Sequence, residues 1–313
     1  MRKFFAIIGH PVAHSLSPHF QQTAFDALQI DAAYLPFDLS PETLPQGIEA
    51  LKTLRVSGFN ITIPHKESIL PFLDQISEEA RQIGAVNTVT SCTSEVGQEV
   101  LWSGHNTDGP GFSRALESFL EQNRLPSPSH ALVFGAGGSA RAVMWSLARM
   151  GISHLCLVNR TVERAADLIH RPAFSPISSR RAFALPDRQW QEWLRNAPLP
   201  ILINTLSLQS FKGSGHPFPP LASIDLTSVS AMIDLSYPPA RSSEETLSAV
   251  TDGQTPFLKA GAPFDIPRQN GLGMLLCQGA LAFELWTGER APVRAMENSL
   301  IERTGQKELW RTL

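Results

Sequence analysis

At 313 residues the chain is long enough for two domains, each able to bury a core of its own. A net charge of −3 at pH 7 gives no whole-chain attraction to nucleic acid or to an anionic membrane, so any anionic ligand has to be held by a local site and the expected partner is a small molecule. Cys92, Cys156 and Cys277 have neither metal-ligand nor redox spacing; they read as reduced thiols of a cytoplasmic protein, and no metal is expected.

Arg2 and Lys3 before FFAII look superficially like a signal start, but the apolar run stops at Gly9-His10-Pro11, and no segment is long enough to span a bilayer. Phe4 to Ile8 reads as a buried strand. Ser17-Pro18 then opens a helix with Phe20, Ala24, Phe25 and Leu28 along one side. Ala32 to Leu39 reads as a strand, Pro41 to Leu54 as a helix and Gly58 to Ile63 as a third strand, which Pro64 interrupts. A helix through Ile69 and Phe72, a helical Glu78 to Ile83, and strands at Ala85 to Thr90 and Val100 to Trp102 complete the first half. The alternation predicts an α/β domain with a mostly parallel sheet.

From Thr107 a helix (GPGFSRALESFL) leads through Pro126 to Ser129 into Ala131 to Arg164, ALVFGAGGSARAVMWSLARMGISHLCLVNRTVER. This is strand, glycine turn, helix and second strand, the unit that holds a dinucleotide. Gly135, Ala136, Gly137, Gly138 and Ser139 form the turn, whose glycines bring bare backbone close to a pyrophosphate at the helix start. The helix has Ala140, Val143, Met144, Leu147 and Ala148 on one face and ends at Gly151. Where an NAD site usually has Asp or Glu, the second strand ends in Asn159-Arg160-Thr161, with Arg164 one turn on. Guanidinium groups there suit a 2′-phosphate, so the cofactor implied is NADP. Beyond it, Arg171 to Ser179 reads as a loop, Trp190 to Leu194 as a short helix, and Ile201 to Thr205 and Met232 to Leu235 as buried strands. Pro238 to Gln269 has no clear pattern. Gly271 to Gly288 reads as an apolar helix returning to the first domain.

Ligands of open α/β sheets lie beyond the carboxyl ends of strands, so polar residues just after apolar runs are the candidates. Four clusters qualify: Ser15-Leu16-Ser17, Asn60 to Lys66, Asn87-Thr88, and Asn106-Thr107-Asp108-Gly109. Their hydroxyls, amides, one ammonium and one carboxylate suit a small polyhydroxylated substrate with a negative charge. Taken singly, each also has a structural reading: Ser15 and Ser17 as helix caps, Asn87 and Thr88 as an Asx-turn, Asp108 as an N-cap, Lys66 as an exposed lysine.

Together the clusters resemble the NADP-dependent shikimate dehydrogenase family. The motifs, in the family's order, are GHPVAHSLSP from Gly9, NITIPHKE from Asn60, GAVNT from Gly84, NTDG from Asn106, GAGGSARA from Gly135, NRTVER from Asn159, and NGLGML from Asn270 with Gln278. The resemblance implies a substrate domain of residues 1–107 plus 271–313 and a Rossmann-type NADP domain of residues 108–270. It implies an enzyme that reduces 3-dehydroshikimate to shikimate, with Lys66 as proton donor and Asp108 as its partner. It also implies that Ser15 and Ser17 bind the carboxylate side, Thr62, Asn87 and Asn106 the ring oxygens, Gln278 a hydroxyl, and Tyr237 a further substrate contact. Leu235 and Gly271 would join the glycine turn and Asn159, Arg160, Thr161 and Arg164 at the cofactor. Members of the family are monomers or homodimers. Where the family commonly has Asn-Ala-Thr and a glycine soon after, this chain has Asn204-Thr205-Leu206-Ser207-Leu208-Gln209.

Two other readings remain open on the residues. A related enzyme could prefer quinate or another ring acid, or use NAD; Arg160 and Arg164 argue for NADP. A non-catalytic NADP-binding sensor would keep the glycine turn, but Lys66 and Asp108 are both present here.

Overall fold

The computed structural model describes residues 2–93, 100–206, 221, 224–237 and 254–306. Among them two six-stranded sheets form, each from its own half of the chain.

The first sheet is built from β1 (Lys3–Gly9), β2 (Ala32–Asp38), β3 (Gly58–Ile61), β4 (Gln75–Ile76), β5 (Thr88–Thr93) and β6 (Val100–His105), in the order β2-β1-β3-β5-β6-β4. Helices α1 (Ser17–Ala27) and α2 (Leu44–Thr53) carry the crossovers that make β2, β1 and β3 parallel. β5 runs antiparallel to both β3 and β6, so this sheet is mixed at its centre. Too few residues separate β5 from β6 for a parallel crossover. The helix expected through Ile69 and Phe72 is a turn followed by a 3-10 segment at Leu70–Phe72. Pro71 there has no N–H to give to a longer helix. α3 (Glu78–Ile83) is capped by Ser77, whose side chain accepts from Ala80 N, and ends at left-handed Gly84.

The second sheet has the order β12-β11-β10-β7-β8-β9, and every pairing in it is parallel. After α4 (Asp108–Gln122) come β7 (His130–Phe134), α5 (Gly138–Arg149), β8 (His154–Asn159), α6 (Val162–Ile169), β9 (Ser179–Ala184), α7 (Gln189–Asn196), β10 (Ile201–Asn204), β11 (Ala231–Asp234), α8 (Pro256–Lys259) and β12 (Arg268–Gln269). Strand order reverses between β7 and β10, and a crevice forms at the carboxyl ends of such a pair. β7, β8 and β10 are buried continuously, as strands covered on both faces should be. The loop expected at Arg171 to Ser179 is instead a 3-10 turn at Pro172–Phe174 followed by β9, an edge strand. Its sequence SRRAFA keeps arginine stems half in solvent and so lacks an apolar run.

α9 (Leu272–Thr287) does return to the first sheet. Its Leu272, Leu276, Cys277, Ala280 and Phe283 share one core with Phe5, Phe20 and Phe25. Phe25 lies between the Phe5 ring, 4.8 Å away, and the Phe283 ring, 5.1 Å away. Each such buried Phe contributes roughly 1.5–3 kcal/mol. Gly279 allows the close approach: a Cβ there would fall 2.3 Å from the Phe20 ring. α10 (Val293–Thr304) then packs Met296 and Leu300 into the same core. No helix among the described residues is long and apolar enough to cross a membrane.

Candidate active site

The carboxyl ends of β1, β3, β10 and β11 face one another across a cavity of about 550 Å³. It is lined from the first half by His14, Ser15, Ser17, Asn60, Thr62, Ile63, Lys66, Asn87 and Asp108, and from the second by Ser139, Thr205, Leu206, Leu235, Ser236 and Tyr237. The start of α9 adds Gly271, Met274, Leu275 and Gln278.

Lys66 lies in the turn after β3, where its carbonyl accepts from Val86 N at 2.8 Å. Its Nζ donates to Asp108 Oδ2 at 2.6 Å, with side-chain exposures of only 14% and 6%. Taking two charges out of water is costly unless the remaining lone pairs are satisfied. Here Asn87 Nδ2 donates to the other oxygen, Asp108 Oδ1, at 2.9 Å. Asn87 Nδ2 also reaches Gln278 Oε1 at 3.2 Å, which ties α9 to the pair. Lys66 Nζ further donates to Ser139 Oγ at 3.4 Å, so the ammonium touches the glycine turn.

Asp108 is not a side-chain cap. Thr107 is the N-cap residue of α4, and the Asn106 Oδ1 accepts from Gly109 N at 3.1 Å. Asn106 Nδ2 donates to Ala85 O at 2.8 Å. Asn106 is 4% exposed and does not line the cavity, in contrast to the substrate contact expected of it. This amide instead ties the loop before α4, leaving the Asp108 carboxylate for Lys66.

Ser15 Oγ accepts from Ser17 N at 3.2 Å, which leaves the Ser15 proton available to a ligand. Burial pushes the Tyr237 hydroxyl up to about 12, so it faces the cavity as a neutral donor. Thr62, Asn87 and Gln278 line the cavity. Asn60 and His14 also line it; Asn60 belongs to a cluster that the strand-end rule collects, whereas Met274 and Leu275 carry no polar signal.

The glycine turn fits a dinucleotide. Gly135 has φ +109°, and a Cβ there would meet Thr205 Oγ1 at 2.3 Å; above Gly137 there is open space within 4 Å. Gly271 is required for a different reason, since a Cβ would fall 2.0 Å from Leu235 O. At the end of β8, Asn159 Nδ2 donates to Thr161 O at 2.8 Å and shapes the turn. Arg160, Thr161 and Arg164 are exposed, and neither guanidinium has a partner among the described residues. They stand away from the cavity, as contacts to the far end of a dinucleotide would.

In the atypical stretch, Asn204 Nδ2 donates to Asp234 Oδ1 at 2.8 Å and Thr205 Oγ1 to Phe134 O at 2.7 Å. Ser207, Leu208 and Gln209 lie outside the described residues.

Residues 7–89 match the model of the shikimate dehydrogenase substrate binding domain, and residues 271–301 that of the shikimate 5'-dehydrogenase C-terminal domain. The chain is 38% identical over 304 residues to a shikimate dehydrogenase (NADP(+)) of Desulfitobacterium hafniense, covering 96% of this chain and 98% of that one. It is 37% identical over 301 residues to the enzyme of the same name from Methanopyrus kandleri, covering 95% and 94%. Among solved structures it resembles shikimate 5-dehydrogenase from Thermus thermophilus in complex with NADP(H) and shikimate, with a TM-score of 0.73 at 34% identity over 96% of this chain and 99% of that one. Shikimate dehydrogenase from Aquifex aeolicus gives 0.75 at 30% identity over 96% and 97%.

Proposed function

The chain belongs to the shikimate dehydrogenase family, and we propose that its cleft reduces 3-dehydroshikimate to shikimate with NADPH, reversibly, a step of aromatic amino-acid biosynthesis. The observation that carries this reading is the buried Lys66–Asp108 pair at 2.6 Å, held against the glycine turn through Ser139.

Bound NADPH supplies the hydride. As the ring ketone gains it, charge develops on oxygen, and the Lys66 ammonium stabilises that charge and delivers a proton. Asp108 orients the ammonium and accepts the hydroxyl beside the reacting carbon. Asn87 holds Asp108 and, with Thr62 and Gln278, reads the ring oxygens. Ser15, Ser17 and Tyr237 take the carboxylate end, where a neutral phenol and a free serine proton are suitable donors. Gly135 to Ser139 cradle the pyrophosphate, with Leu235 and Gly271 beside the cofactor, and Arg160 and Arg164 take the 2′-phosphate, supported by Asn159 and Thr161.

In domain terms, residues 1–107 with 271–313 make the substrate unit and residues 108–270 the NADP unit, with cytoplasmic residence and a monomer or homodimer as the working form. Absorbance in the NADPH band tests the assignment with shikimate or quinate, each with NADP+ or NAD+. Shikimate with NADP+ well ahead is the expected result. Quinate or NAD+ ahead would reassign substrate or cofactor, and NADP+ binding without turnover would favour a sensor.

A further inference from the structure

A chain of hydrogen bonds runs beneath the cavity. Tyr34 Oη donates to Asn60 Oδ1 at 2.7 Å, Asn60 Nδ2 to Thr88 Oγ1 at 3.0 Å, and Thr88 Oγ1 to Asn87 Oδ1 at 3.1 Å. Asn87 Nδ2 then donates to Asp108 Oδ1.

The direction is fixed at Asn60. Its Nδ2 also donates to the Asn87 backbone carbonyl at 3.2 Å, which can only accept, so Oδ1 has to face Tyr34. Burial keeps the Tyr34 phenol protonated, and it is therefore the donor in that bond. Tyr34 and Asn60 thus both donate toward Thr88, and at Asn87 the array also meets Thr107, whose N–H donates to Asn87 Oδ1 at 2.7 Å and whose Oγ1 lies 3.1 Å from Thr88 Oγ1. Tyr34 and Asn60 are each 4% exposed and Thr88 is fully buried, so loss of the Tyr34 hydroxyl leaves Asn60 Oδ1 dry and without its donor. Neither Tyr34 nor Thr88 lines the cavity.

We propose that Tyr34 is a positioning residue for the reaction: through Asn60, Thr88 and Asn87 it helps to fix the Asp108 carboxylate, and with it the Lys66 ammonium. This rests on the reading of Lys66 and Asp108 as the catalytic pair.

The test is a double-mutant cycle of Tyr34→Phe and Thr88→Val, read as kcat and KM for shikimate and for NADP+. Each single change should lower kcat about three- to tenfold, the worth of one hydrogen bond, and leave the KM for NADP+ within about twofold. Because both cut one array, the double variant should be no worse than the poorer single variant within about twofold. Losses that multiply, a KM for NADP+ that moves in step, or an unaltered kcat in Tyr34→Phe would overturn the proposal. Should Tyr34→Phe fail to fold, Thr88→Ser against Thr88→Val decides: the hydroxyl-bearing variant should keep kcat, and equal loss in both would overturn it. The parent chain separates the two claims. A parent that does not oxidise shikimate removes the family reading and this inference together, whereas an active parent with a multiplicative cycle removes the inference alone.

Discussion

Arg141 Nη2 lies 2.8 Å from Glu67 Oε2, an ion pair joining the first turn of α5 to the residue after Lys66. Alongside it, Arg171 Nη1 donates to Ile83 O at 2.9 Å, and Trp145 and Arg149 both donate to Gln82 Oε1, at 3.0 and 3.1 Å. These contacts fasten the two halves of the chain along one edge of the cleft. With exposures of 22% and 43%, the ion pair is partly screened and contributes at most about 1 kcal/mol. Glu67→Gln should therefore raise the KM values for shikimate and NADP+ by no more than about fivefold at low salt. The difference from the parent should shrink at high ionic strength. Steady-state kinetics at two salt concentrations check this, and a salt-independent loss would mean that Glu67 acts by shape rather than by charge.

Lys66→Ala removes the proposed proton donor and leaves Asp108 buried beside Asn87 without its cation. On that proposal, loss of a general acid should lower kcat about 10²- to 10⁴-fold, while NADP+ affinity, which the proposal assigns to the glycine turn and the arginines, should stay within about threefold. Single-turnover rates and NADP+ titration by fluorescence separate the two. Near-normal turnover at saturating substrate would remove Lys66 from the mechanism.

The exposed guanidinium groups of Arg160 and Arg164 offer charge-assisted bonds to a 2′-phosphate and none to a 2′-hydroxyl. In Arg160→Ala the ratio of kcat/KM for NADP+ over NAD+ should fall about tenfold, and more in the double variant with Arg164→Ala, with the NAD+ value nearly unchanged. Parallel losses with both cofactors would place these arginines elsewhere in function.

Much of this arrangement is legible in the sequence because the signals are local. A glycine turn between an apolar strand and an amphipathic helix, and polar clusters at strand ends, announce themselves within a few residues. What escapes is non-local or at an edge. β9 is half-buried and its arginines mask the strand pattern; β5 takes its antiparallel direction from a short connection rather than from its composition. Asn106 reads like its neighbours, yet its amide is used by Ala85 and Gly109. Tyr34 sits on β2 with no polar company in sequence, and only its distance of 2.7 Å from Asn60 joins it to the polar array.

Asp234, at the end of β11, is fully buried, and burial raises its carboxyl from the ordinary 3.8 to about 6, although bonds from Thr255, Ser236 and Asn204 oppose the rise. Between about pH 4 and pH 6 the folded protein thus keeps a proton that the unfolded chain has released. The folded state binds more protons in that window, so this group's contribution to stability falls as pH rises through it, by about 3 kcal/mol in all. Asp234→Asn, which does not titrate there, should lack that slope: relative to the variant, the parent should lose unfolding free energy from pH 4 to pH 7. Thr255→Val removes one of the bonds favouring the charged form and should extend the decline to higher pH. Urea unfolding of the three proteins at closely spaced pH values checks both expectations. A parent and an Asp234→Asn variant with parallel profiles would show that the carboxylate is ionised throughout, its hydrogen bonds outweighing its burial.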